Sequence, residues 1–218
     1  MKVKEVSLDM APNMKMAVET LFPLAKQVID RFHVVKLVLE ALQHIRIKYR
    51  WQAIEDENKQ IDICRMKKIK FEPKRMANGE SRKELLARSR FLLFRVKSKW
   101  TKTQQERAKI LFKEYPILRE AYRKTLKFRS IYEQKCMIKA KSRFNKWIHE
   151  IRQFKQDEFN SVANSIQYHL PNILNFFINR STNAHAESFN AKIKAFRANL
   201  RGVSNPNFFL FRLEKLFA

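Results

Sequence analysis

The chain is poor in the residues that break regular structure: of 218 residues only 2 are glycine, Gly79 and Gly202, and 6 are proline. Hairpin turns and phosphate-cradling loops both draw on glycine, which alone enters left-handed backbone without steric cost. A glycine-rich nucleotide-binding loop is therefore excluded, and the chain is expected to be mostly helical. Cysteine is equally scarce. Cys64 and Cys136 stand apart, without metal-ligand spacing, and are expected to be reduced core thiols of an intracellular protein. No apolar run approaches the roughly 20 residues of a spanning helix, and the opening MKVKEVSLDM turns charged too soon for a signal peptide. Negative charge is also short: 21 acidic residues face 46 basic ones, a net charge of +25. Such an imbalance implies a polyanionic partner, nucleic acid first and an anionic membrane surface second. The cations are scattered round the helices, not gathered opposite one apolar face, which argues against the membrane. The expectation is a cytoplasmic, nucleoid-associated protein that faces DNA.

What is present supports a sizeable core, since 45% of residues are hydrophobic and 18 are Phe. Residues 3–8 alternate weakly and read as a strand ending at Asp9, and Pro12 suits the first turn of a helix to Leu21. Lys26–Ile29 reads as a second strand, ending at Asp30. A strand–helix–strand order suggests a parallel pair in an α/β layer. From Phe32 the pattern is helical, with Val34, Val35, Val38, Leu42 and Ile45 in a stripe that continues towards Trp51. Residues 65–83 combine Pro73, Gly79 and a charge run, and read as a loop or hinge. Helices are expected at 82–99, 103–114, 116–130, 131–156, 157–178 (interrupted or kinked at Pro171) and 183–200. Gly202 and Pro206 should stop the last one before a closing segment. Two strands do not make a stable sheet by themselves. The chain is thus expected to begin inside a domain whose earlier strands lie elsewhere, in another chain or a preceding segment.

Three carboxylates invite chemistry. Asp9 and Asp30 each follow directly on a strand, and in parallel α/β layers ligands collect at the carboxyl ends of strands. The plainer reading is that both cap the helices that follow. Glu187 is the only acidic residue from Phe159 to Leu213, in the stretch STNAHAESFNAKIKAFRANLRG. On a helix over 183–200, Phe189, Ile193, Phe196 and Leu200 form an apolar stripe. Glu187, Asn190, Lys194, Arg197 and Arg201 form a second stripe beside it. Glu187 then either favours the helix N-terminus or binds a metal ion on a helix that grips phosphates.

The segments TLFPLAKQVIDRFHVVKLVLEAL and STNAHAESFNAKIKAFRANLRGVSNPNFFLFRL resemble insertion-sequence transposases of the ISL-three-like type. The ordered pair, with a long helical stretch between, extends the resemblance over essentially the whole chain. It implies a DDE-type catalytic core of ribonuclease-H-like fold, with a large helical insertion between the second Asp and the Glu. The fold class expected is accordingly mainly α: the C-terminal part of such a core, with two short parallel strands. Asp9 matches the second acidic position and Glu187 the last, both as catalytic metal ligands for Mg²⁺ or Mn²⁺. Asp30 and His33 match an accessory D/C-x-x-H signature, and His33 is not taken as a general base. Arg31, Lys36, Asn183, Asn190, Lys192, Lys194, Arg197 and Arg201 are the candidate DNA contacts. The domains implied are a partial core over 1–58, the insertion over 59–178 and a closing core helix over 179–218.

No residue before Met1 supplies the first Asp of that family, so the chain by itself is expected to be inactive, truncated or one half of a split gene. Its function would be DNA transposition by metal-dependent strand cleavage and transfer once completed, as an oligomer on transposon ends and target DNA. The alternative is a non-catalytic DNA-binding remnant that represses or inhibits an intact transposase. The runs RMKKIKFEPKR, RSRFLLFRVKSK and KFRSIYEQKCMIKAKSRFNK interleave aromatics with cations, as backbone-tracking surfaces do. Trp100 and Trp147 could stack on an unpaired base, but are expected to pack in the core.

Overall fold

A computed structural model describes residues 3–181, 184–200 and 204–217, with 184–187 and 217 described by their backbone alone. The chain is mainly α with one small parallel sheet, as its scarcity of glycine implies. Strand β1 (Glu5–Leu8) and strand β2 (Lys26–Ile29) pair from Glu5↔Lys26 to Leu8↔Ile29, joined by helix α1 (Pro12–Leu21). Pro12 opens α1 at a position whose N–H would lack a partner in any case. Helix α2 (Arg31–Met66) then runs unbroken for 36 residues, about 54 Å at 1.5 Å per residue.

The helical region is built on α2. Helix α3 (Arg82–Arg88), α4 (Arg90–Phe94), a short 3₁₀ turn (Lys97–Lys99), α5 (Lys102–Glu114) and α6 (Pro116–Ile131) follow in order. Next come α7 (Met137–Phe154), α8 (Asp157–Leu174), α9 (Phe176–Asn179), α10 (Ala184–Asn199) and α11 (Pro206–Phe217). α2 packs against α3, α4, α6 and α8, while α8 also covers β2. One apolar core runs without a break from Leu8, Val28 and Ile29 through Val38 and Leu42 to Phe128, Trp147 and Phe159. Capping boxes start α3 (Ser81 with Glu84) and α5 (Thr101 with Gln104), each satisfying two otherwise unpaired N–H groups.

Several expectations are corrected. The apolar stripe of α2 continues past Ile45 through half-buried Tyr49 to buried Ala53 and leaves Trp51 59% exposed, and polar Gln43 and Arg46 take buried places on the same helix. Arg46 donates to Leu86 O at 2.9 Å and to Gln43 Oε1 at 2.7 Å, so the carbonyl end of α3 holds a buried cation. The single helix expected over 82–99 is three short pieces, with Ser89 between the first two. Tyr132 ends α6, and a turn separates it from α7 where one helix over 131–156 was expected. α8 passes Pro171 and ends at Leu174. Pro206 does not end a helix but opens α11, with Asn205 Oδ1 accepting from the N–H groups of Asn207 and Phe208. The thiols are not core residues either: Cys64 is half-buried and Cys136 is exposed at the start of α7. N–H groups of Lys139 and Ile138, and then the Lys139 charge, hold the Cys136 thiol below its ordinary value.

The hinge-like segment is fastened. A turn at Asn78–Gly79 uses glycine at φ +76°, with Gly79 N donating to Met76 O at 2.8 Å. It delivers Glu80, 4% exposed, to Arg107 (Nη2 at 2.7 Å), Arg88 (3.1 Å) and Asn78 (2.9 Å).

Candidate active site at the strand ends

Parallel pairing brings the two aspartates to one edge. Leu8 and Ile29 are the last register partners, Asp9 and Asp30 follow them, and Asp30 N donates to Leu8 O at 2.9 Å. From there the two side chains differ. Asp9 is half-buried, and its Oδ1 accepts from Ala11 N at 2.9 Å, an Asx turn that leads into α1. Its second oxygen has no partner among the described residues. Asp9 lines a cleft of about 100 Å³ with Lys15, Gln27, Tyr168, His169 and Asn172. Burial, and then the Lys15 charge, hold the His169 imidazole below its ordinary value.

Asp30 is 3% exposed and stands at the N-cap of α2, yet its carboxylate makes no capping bond. It meets His33 Nδ1 at 3.0 Å instead. The capping reading thus fails for both side chains: Ala11, not Asp9, is the N-cap of α1, and the Asx turn only leads the chain into it. The spacing Asp30–His33 places the imidazole one turn along, where the buried carboxylate orients it. Around this pair the fold adds groups that no local pattern announces. Tyr132, at the end of α6, carries a buried hydroxyl without a hydrogen-bond partner among the described residues. Burial, and secondarily the Asp30 charge, push that hydroxyl far above its ordinary range, and Arg31 opposes the shift. Arg31 and Arg180 lie over the Phe176 ring at 5.7 and 5.8 Å. Arg180, in left-handed backbone at φ 55°, also donates to the carbonyls of Tyr132 and Gln134.

The third carboxylate sits differently. The side chain of Glu187 and the residues Asn183 and Arg201 lie outside the described residues, so their place relative to Asp9 stays with the sequence reading. Within α10, Asn190, Lys192, Lys194 and Arg197 are exposed. Phe189 is 42% exposed, and Ile193, Phe196 and Leu200 are half-buried, so the apolar stripe is not a core face. Phe196 meets Phe209 of α11 at 5.9 Å between ring centroids. Arg31 and Lys36 are exposed at the start of α2, and Lys36 lies 3.8 Å from Glu40. Among the described residues no three His, Cys, Asp or Glu side chains come close enough to hold a metal ion. No helix among the described residues is long and apolar enough to cross a membrane.

A search for relatives agrees with the two motifs. The model of the ISL3-type DDE transposase family, described as transposase, matches residues 1–213. No curated protein matched the chain, and no solved structure did. That span takes in both strand-end aspartates, the helical region and α10. The chain belongs to the ISL3-type DDE transposase family.

Proposed function

We propose that the chain takes part in DNA transposition by metal-dependent strand cleavage and transfer, with Asp9 and Glu187 as metal ligands and Asp30–His33 as a positioning pair. The observation that carries this reading is the contrast between the two strand-end aspartates. Asp30 is buried and engaged by His33, whereas Asp9 keeps an uncommitted oxygen in an open cleft. A hard divalent cation favours carboxylate oxygen of that kind. Asp9 and Glu187 would hold Mg²⁺ or Mn²⁺, which activates water and stabilises a leaving 3′-oxygen. Two carboxylates leave such a site short of donors, so a further acidic ligand comes from a second chain or another segment. β1 and β2 then form part of a ribonuclease-H-like core over 1–58, interrupted by the insertion over 59–178 and closed by 179–218. Arg31, Lys36, Asn190, Lys192, Lys194 and Arg197, with Asn183 and Arg201, contact DNA phosphates around it, in an oligomer assembled on transposon ends and target.

Titration of the full chain with Mn²⁺, followed by calorimetry or electron spin resonance, tests the ligand assignment without requiring turnover. Asp9→Asn and Glu187→Gln should each weaken Mn²⁺ binding roughly tenfold or more, and Asp30→Asn should leave it near the parent value. An Asp30→Asn loss that exceeds the Asp9→Asn loss would exchange their roles. The net charge of +25, which suits DNA binding with or without cleavage, fits a second reading, a non-catalytic chain that occupies DNA or inhibits an intact transposase by mixed assembly. Unchanged Mn²⁺ binding in all three variants, with DNA binding intact, would select it.

A further inference from the structure

The helical region contains a second concavity that shares no lining residue with the Asp9 cleft. It opens between the 3₁₀ turn, α5 and the start of α6, with a volume of about 740 Å³. That is within the roughly 300–1,000 Å³ typical of ligand sites. Its floor is aromatic. Trp100 and Phe112 are half-buried, and both pack on Tyr122, with ring centroids at 5.6 and 5.4 Å. The stack is held from below, because Trp100 Nε1 donates to Leu92 O at 2.9 Å and Tyr122 Oη to Arg95 O at 2.8 Å. Trp147 is the core residue expected, whereas Trp100 packs against the core only in part and its outer part is a wall of the cleft.

The rim is cationic. Lys97, Lys109, Lys113 and Arg119 line it, all four are exposed, and no carboxylate lines it. None of the four makes an ion pair among the described residues, whereas neighbouring cations such as Arg82, Arg107 and Lys124 each meet a glutamate. Four unneutralised charges round an aromatic floor ask for a ligand with both a flat apolar face and anionic groups.

Resting on the DNA reading above, we propose that this cleft binds an unpaired nucleotide of single-stranded DNA. The base lies against Trp100 and Phe112, and the flanking phosphates lie across the four cations. Duplex DNA offers the same phosphates but keeps its bases stacked on one another, so the aromatic floor distinguishes the two forms. Stacking accepts any base, so the site selects strandedness and not sequence.

Fluorescence anisotropy of the full chain, with labelled oligo-dT of about 12 nucleotides and a duplex of equal length, tests this. The double variant Lys109→Glu/Arg119→Glu reverses two rim charges. Lys141→Glu/Arg143→Glu makes the same charge change at exposed positions of α7 that do not line the cleft. The rim variant should lose about tenfold more oligo-dT affinity than the control, with duplex affinities of the two within about twofold. Trp100→Phe, which keeps an aromatic ring in the stack, should weaken oligo-dT binding alone. Equal losses in both double variants, or equal losses on both ligands, would reduce the cleft to general positive charge. Competition by polyglutamate stronger than by oligo-dT would reassign it to an acidic protein partner. Loss confined to this cleft's role leaves duplex binding standing, whereas a parent chain that binds no DNA would remove the DNA reading itself.

Discussion

At the residue scale, two buried polar groups have opposite worth. Glu80 is almost fully buried, and the five bonds its carboxylate accepts from Arg107, Arg88 and Asn78 make it the anchor of the 67–81 connection. Burial raises the Glu80 carboxyl, but the bonds from Arg107 and Arg88 outweigh it and hold it below its ordinary value of 4.5. A depressed folded-state value means that the stabilisation is present above the unfolded carboxylate value and fades as pH falls through the folded one. Glu80→Ala should cost about 2–4 kcal/mol in chemical denaturation at pH 7, because it strands Arg107. Glu80→Gln should flatten the loss of stability below about pH 4.5. An unchanged acid slope would mean that another carboxylate governs it. Tyr132 is the reverse case, a hydroxyl buried with no partner among the described residues. Tyr132→Phe removes an unsatisfied group and keeps the ring stacked on Phe177, 5.8 Å away. It should leave stability unchanged or raise it by about 1 kcal/mol. A clear fall in melting temperature would show that the hydroxyl is satisfied by a bound water.

At the element scale, composition and fastening disagree over the segment between α2 and α3. Its proline, glycine and charge suggest a hinge, but its second half is tied down. Arg75 donates to Gly79 O at 3.1 Å and to Glu84 at 2.8 Å, and Glu80 is locked to α5 through Arg107. The first half, Lys67, Lys68 and Lys70, is exposed, and Lys68 is held at φ 55°. Trypsin in limiting amounts should therefore cut at 67–70 before it cuts at 75–83, as read by intact mass. A first cut at Arg82 or Lys83 would show that the Glu80 anchor opens readily. α2 belongs to both parts of the molecule, touching the sheet-covering α8 as well as α3, α4 and α6. A cut at 67–70 should thus leave the two fragments associated on a sizing column.

At the scale of the whole molecule, the net charge of +25 dominates. Phosphate neutralisation releases condensed counterions, so log affinity for duplex DNA should fall linearly with log salt. With six or more contacts, roughly 10³-fold or more is lost between 50 and 200 mM salt. A nearly flat dependence would mean that the cations mainly serve the fold.

Local signals carried much of this protein. Weak alternation gave β1, and Pro12 and Pro116 stand at the first position of their helices. The order strand–helix–strand implied the parallel pair that sets Asp9 beside Asp30. Family membership was legible because DRFH and the segment round Glu187 are contiguous stretches. What lay beyond the sequence was burial and partnership across distance. Asp9 and Asp30 look alike as strand-end aspartates. α8 supplies Tyr168, His169 and Asn172 to the cleft that Asp9 lines, whereas the carboxylate of Asp30 is buried against His33. The periodic stripe of α2 could not show that Arg46 would sink to meet Leu86, 40 residues away, or that Trp51 would stay out. The Glu80 anchor and the Trp100 cleft likewise join residues from separate helices. Periodicity tells which face of a helix is apolar, whereas the partner that covers that face, or leaves it open, is decided when distant segments share one core.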